Sequence, residues 1–109
     1  MKLVILESPF AGDVVKNICY GRACLRDSLL RGEAPLASHL LYTQIGVLDD
    51  LNPAERMQGM SAGLAWLESS EGTVVYTDLG ISGGMQHGID MAVALGKPVE
   101  YRSLNQTPP

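Results

Sequence analysis

With 109 residues, the chain has enough length for one domain and one core. It is 46% hydrophobic and 18% charged, an ordinary globular balance. A net charge of −4, with no basic stripe, argues against a nucleic-acid duplex as partner. No apolar run is long enough to span a bilayer, and no signal-peptide core follows Met1-Lys2, so a cytoplasmic protein without a membrane partner is expected. Cys19 and Cys24 fall on one predicted helix in a poor geometry for pairing with each other, and reduced thiols are expected. His39 and His87 lie outside any Cys/His ligand spacing, so neither a metal nor another cofactor is expected.

Leu3-Val4-Ile5-Leu6 is a short continuous apolar run and reads as a buried strand. Ser8 to Asp13 is the loop after it, with Asp13 as helix N-cap. A helix follows from about Val14 to Arg31, with Val15, Ile18, Cys19, Leu25 and Leu29 on one stripe and Gly32 as its stop. Ala34 to Ala37 reads as a second strand, and Ser38 to Asp50 as a long loop with a helical turn. Asn52-Pro53-Ala54-Glu55 is a helix start: Asn52 caps, Pro53 takes the first helical position and Glu55 returns a capping-box bond. In that helix Met57, Met60, Leu64 and Leu67 form the apolar stripe, and Gly59 and Gly63 mark a face for close backbone approach. The β-branched run Thr73 to Thr77 predicts a third strand. A helix from about Gly84 to Leu95 comes next, with Met85, Ile89, Ala92 and Val93 inward, and Pro98 to Arg102 reads as a fourth strand. Residues 1–102 form the domain, and 103–109 a polar tail expected to be disordered.

Strands alternating with helices imply right-handed crossovers. The expected fold is α/β: a single three-layer, doubly wound domain with a short, mainly parallel sheet of about four strands. Such sheets hold ligands beyond the carboxyl ends of their strands, at the switch point. That brings the Ser8–Asp13 loop beside the stretch Asp78 to Gly84.

The run Asp78-Leu79-Gly80-Ile81-Ser82-Gly83-Gly84-Met85-Gln86-His87 joins a strand to a helix through a glycine-rich turn. It leaves backbone N–H groups and the positive end of a helix dipole facing a crevice, and an anion such as a nucleotide phosphate fits there. Ser82, Gly83 and Gly84 are candidate donors; the alternative is a tight turn that needs glycine. Asp78 either orients a ribose hydroxyl or caps its own turn. His39 and His87 are candidate ligand contacts or ordinary side chains, and Phe10 or Tyr42 either stacks on a base or packs in the core. Arg22 and Arg26 share a helical face and meet a phosphate, Asp49 and Asp50, or solvent.

Ser8-Pro9-Phe10-Ala11-Gly12-Asp13, Asn17 with Arg22 and Arg26, Gly32 to Pro35, Ser38 to Leu41, Leu48-Asp49-Asp50 with Pro53, Glu55-Arg56 and Gly59, and Gly80 to Met85 follow one another in a telling order. In that order they resemble the nucleoside 2-deoxyribosyltransferase-like superfamily, which includes nucleoside-phosphate N-glycosidases. The resemblance runs from Leu3 to Arg102 and is closest to a small branch common in bacteria and phages. It implies a deoxyribosyltransferase-like fold and a pocket for a nucleoside or nucleotide, lined by Ser8, Pro9, Phe10, Ser82, Gly83, Gly84, Met85, Gln86 and His87.

In that superfamily a glutamate near the start of the last helix is the nucleophile. Here Gly88 or Gln86, depending on register, holds its place, and neither can form the ester. Asp90 is the remaining acidic side chain of that helix, a turn beyond Gln86, and is the expected nucleophile or general base. Asp78 and Ser82 would then position the sugar. Two functions are expected: a nucleotide-binding protein that sequesters or senses its ligand, or an enzyme that hydrolyses or transfers at an N-glycosidic bond. A homo-oligomer, a dimer first, is the expected assembly.

Overall fold

The computed structural model describes residues 1–105. Four strands alternate with helices: β1 (Lys2–Glu7), α1 (Val14–Leu30), β2 (Glu33–Leu36), α2 (Ser38–Leu41), α3 (Pro53–Ser69), β3 (Gly72–Tyr76), α4 (Gly83–Ala94) and β4 (Val99–Arg102). Every pairing is parallel, and the strand order is β2-β1-β3-β4. The chain leaves β1 in one direction for β2 and returns past it to β3. The switch point therefore lies between β1 and β3, as the doubly wound reading expects.

The two faces of β1 divide the core. Val4 and Leu6 pack with Cys24 of α1, Val74 and Tyr76 on one side. Ile5 packs with Leu67 of α3 and Ala92 of α4 on the other, next to Val75, Met85 and Ile89. Alternation along the strand thus points Glu7 to the α3/α4 side and Ser8 to the α1 side.

Capping chemistry sets the helix ends. Asp13 accepts from the Lys16 amide and Asn52 from those of Ala54 and Glu55. Gly32, at φ 84°, adopts the left-handed conformation that ends α1. Glu55 makes a different bond from the expected capping box: its Oε1 accepts from the Asp49 amide and pins the loop before α3.

The helix faces depart from the periodicity reading. α1 buries Asn17, Gly21, Cys24 and Ser28, while Val15 and Leu29 are exposed. Small side chains let this helix lie close to the sheet, while Leu25 of the expected stripe, with Tyr20, packs partly buried against the core. In α3 only Leu67 is buried; Met57 and Met60 are exposed. In α4 Met85, Ile89 and Ala92 face in as expected, but Val93 is exposed.

Residues 103–105 follow β4. Leu104 packs against the α1-side core, and its amide donates to Asp78. The rest of the expected tail, 106–109, lies outside the described residues. Both cysteines are free thiols, Cys19 exposed and Cys24 buried. No helix among the described residues is long and apolar enough to cross a membrane.

Candidate functional site

A cavity of about 320 Å³ opens at the carboxyl ends of β1 and β3. Its volume sits at the lower end of the range for small-molecule sites. The wall combines Glu7, Ser8 and Phe10 after β1, His39 and Tyr42 from the α2 region, Glu55, Arg56, Gly59 and Gly63 of α3, and the start of α4.

The α4 side is built by its cap. Ser82 Oγ accepts from the Met85 amide at 3.3 Å, and the Ser82 amide donates to Met85 Sδ at 3.4 Å. The Gly83 and Gly84 amides, with no partner inside the first helical turn, make no hydrogen bond among the described residues. Both glycines line the cavity, so these two N–H groups are available to a guest.

The α3 side is made thin by glycine. A Cβ on Gly63 would stand 2.8 Å from Ser38 Oγ, and one on Gly59 would stand 3.4 Å from Leu48 Cδ1. The face expected for close backbone approach is therefore spent within the chain, against α2 and the following loop. Arg56 is exposed at the rim and makes no ion pair among the described residues.

Two polar groups mark the floor near β1. Ser8 Oγ and His39 Nε2 share a hydrogen bond of 2.6 Å. Burial lowers the His39 pKa to about 4, so the imidazole is neutral near pH 7. Beside them lies the partly buried carboxyl of Glu7, which has no hydrogen bond or ion pair among the described residues. Desolvation pushes its pKa up to about 8.

Glu7 rests against α4 where that helix has no side chain. A Cβ on Gly88 would overlap Glu7 Oε2 and stand 2.7 Å from its Cδ. The sequence reading did not single out Glu7 among the residues that line this cavity. Its signal is modest: one carboxylate closing an apolar parallel strand at its carboxyl end, in phase with Ile5.

Of the expected site residues, Ser8, Phe10, Ser82, Gly83, Gly84, Met85 and His87 line the cavity together. Pro9 is buried behind the wall, and Gln86 is exposed outside it. The structure does not bring Asp90 to the cavity. It is exposed and accepts from Gln86 Nε2 at 2.9 Å, because residue 90 projects from α4 away from the face that carries Gly88. Asp78 also stays outside. It accepts from the Tyr20 hydroxyl at 2.6 Å and from the Leu104 amide, tying the loop after β3 to α1 and to the end of the chain. Burial alone would raise the Asp78 pKa, but these hydrogen bonds outweigh it and hold it below the ordinary value. Arg22 and Arg26 are exposed on α1, without ion pairs among the described residues. No group of three or more His, Cys, Asp or Glu is placed to hold a metal among the described residues.

The parallel four-stranded sheet, its order and its covering helices define a deoxyribosyltransferase-like α/β fold. Its backbone is similar to a 2-deoxyribosyltransferase from the psychrotolerant bacterium Bacillus psychrosaccharolyticus, with a TM-score of 0.64 and 20% identity over 93% of this chain and 72% of that one. By sequence, the chain belongs to the family described as Domain of unknown function (DUF7768), which matches residues 2–102. No curated protein matches it in sequence.

Proposed function

We propose that this protein binds a nucleoside or nucleoside monophosphate in the cavity between β1, α3 and α4. The observation that carries this reading is that one cavity is lined by the Gly83 and Gly84 amides on its α4 side and by Arg56 on its α3 side, all without partners among the described residues. Donors at a helix N-terminus and a free guanidinium suit a phosphate. Phe10 and Tyr42 supply faces for a base, while Ser8, His39 and Glu7 supply polar contacts for a sugar. The fold similarity to a 2-deoxyribosyltransferase supports the same ligand class.

A second copy of the chain completing the open side is part of this reading. Ile45, Val47, Leu51, Met57, Met60 and Trp66 leave apolar surface exposed on α3 and the loop before it. Calorimetric titration with the four 2′-deoxynucleosides and their 5′-monophosphates tests the assignment. Saturable binding is expected, tighter for a monophosphate than for its nucleoside. Absence of binding across the panel refutes it.

A second reading is cleavage or transfer at the N-glycosidic bond of that ligand, and the Glu7 carboxyl on the cavity wall favours it. Retention of the intact nucleotide identifies a sequestering or sensing protein. Release of free base identifies an enzyme.

A further inference from the structure

The carboxyl of Glu7 has a setting that structural roles do not explain. It is partly buried, yet no donor compensates it among the described residues. Desolvation without a partner costs stability, and surface was available elsewhere. Moreover, the helix facing it carries glycine at residue 88, and a Cβ there would oblige the carboxyl end of the Glu7 side chain to shift. Glycine in a helix interior itself costs about 1 kcal/mol relative to alanine. Two unfavourable choices, made by different elements, meet at one point on a cavity wall.

The surroundings leave this carboxyl uncommitted. His39 is bonded to Ser8, and Glu55 holds the Asp49 amide. Arg56, Asp50 and His87 line the cavity without bonding Glu7. From α4, the immediate neighbour is Gly88, which has no polar side chain to offer.

We propose that Glu7 is the catalytic carboxyl of this cavity, passing a proton to the leaving base of a nucleoside and taking one back from water. This rests on the nucleoside-binding reading above. The protonated carboxyl donates its proton to a nitrogen of the base. The bond from C1′ to the base breaks, and its electron pair leaves with the base. Water then adds its oxygen to C1′ and returns a proton to the Glu7 carboxylate. Nucleoside and water become free base and sugar, and Glu7 is restored. Its raised pKa, about 8, keeps the proton on the group near neutrality, where a general acid is needed.

The test uses the full chain, wild type and Glu7→Gln, with the four 2′-deoxynucleosides and their 5′-monophosphates as probes. Binding is read by calorimetry and free base by chromatography, from pH 5 to pH 10. The wild type is expected to release base, with a rate that declines as pH rises through about 8. Glu7→Gln keeps volume and neutrality, so binding should hold within about threefold while base release falls by about a hundredfold or more. Binding by the wild type without any base release overturns the catalytic proposal and leaves the binding reading standing. Base release that survives in Glu7→Gln but is lost in Asp90→Asn also overturns it. Failure of every probe to bind overturns both.

Discussion

Ser8 at the end of β1 and His39 in the short helix α2 are joined by a hydrogen bond of 2.6 Å between Oγ and Nε2. The bond fastens α2 to the sheet at the cavity floor, and Gly21 of α1 leaves room for it: a Cβ there would press on Leu40 and approach Ser8 Oγ to 3.3 Å. Ser8→Ala leaves a partly buried ring nitrogen unpaired and is expected to cost about 1 kcal/mol. Urea denaturation of the two proteins measures it; an unchanged midpoint would refute the role.

The same imidazole makes stability depend on pH. Its pKa is about 4 in the folded protein and near 6.5 unfolded. Above 6.5 it is neutral in both states. As pH falls from there toward 4, the unfolded chain takes up a proton that the folded one does not, and stability is lost. Glu7, raised from 4.5 to about 8, acts oppositely: its contribution is complete below 4.5 and is lost as pH rises through 8. Comparison with His39→Gln at pH 7.5 and 4.5 isolates the histidine. Wild type should lose at least about 1 kcal/mol more than the variant, the worth of one pKa unit.

Gly88 and Glu7 should be energetically coupled. Gly88→Ala alone gains helix propensity of about 1 kcal/mol but displaces the Glu7 carboxyl. In a Glu7→Ala background the obstruction is gone, and the substitution should stabilise by about that amount. A double-mutant cycle in urea is expected to return a coupling of about 1 kcal/mol or more. Simple additivity would show that the Glu7 carboxyl gives way to a Cβ at residue 88 without cost.

Arg102 is buried with its guanidinium on Glu33 at 2.5 Å and on Glu100, while Ser28 Oγ donates to the same Glu33 carboxylate at 2.7 Å. Glu33→Ala leaves a buried cation with only the largely exposed Glu100 carboxylate and a 3.4 Å contact to the Tyr76 hydroxyl, and should cost about 3 kcal/mol. The Arg102 hydrogen bond lowers the Glu33 pKa, so its contribution persists above 4.5 and is lost as pH falls below that value. The penalty of Glu33→Ala should therefore shrink in acid, which parallel denaturation at pH 7 and pH 3 will show.

On the proposed reading, in which the guanidinium faces the phosphate, Arg56→Ala should weaken a 5′-monophosphate about tenfold and its parent nucleoside far less. The difference should shrink at high salt. Equal losses for both ligands in titration would place Arg56 elsewhere in recognition.

Self-association is expected at micromolar concentrations, through the exposed apolar residues of α3 and the loop before it. Light scattering should give a dimer mass, and Met57→Lys or Trp66→Lys should shift it toward monomer. A monomer in the wild type would leave the cavity's open side to solvent.

Local chemistry determined the parts. The apolar run after Lys2, the Asn52-Pro53 start, the Ser82 cap and Gly32 specify their elements within a few residues, since each depends on neighbours in the chain. The alternation of strands and helices gave the layered parallel sheet, and with it the end of the sheet where a ligand belongs. Side-chain directions across elements were decided elsewhere. Hydrophobic spacing ranked the faces of α1 by apolarity, but close contact with the sheet selected the smaller one, with Asn17, Gly21, Cys24 and Ser28, and turned Val15 and Leu29 outward. Asp90 carries a carboxyl, but on a face of α4 that does not line this cavity. The setting of the Glu7 carboxyl was decided only when the fold brought Gly88 of α4 against it, because desolvation and close approach depend on three-dimensional neighbours that strand and helix patterns do not encode.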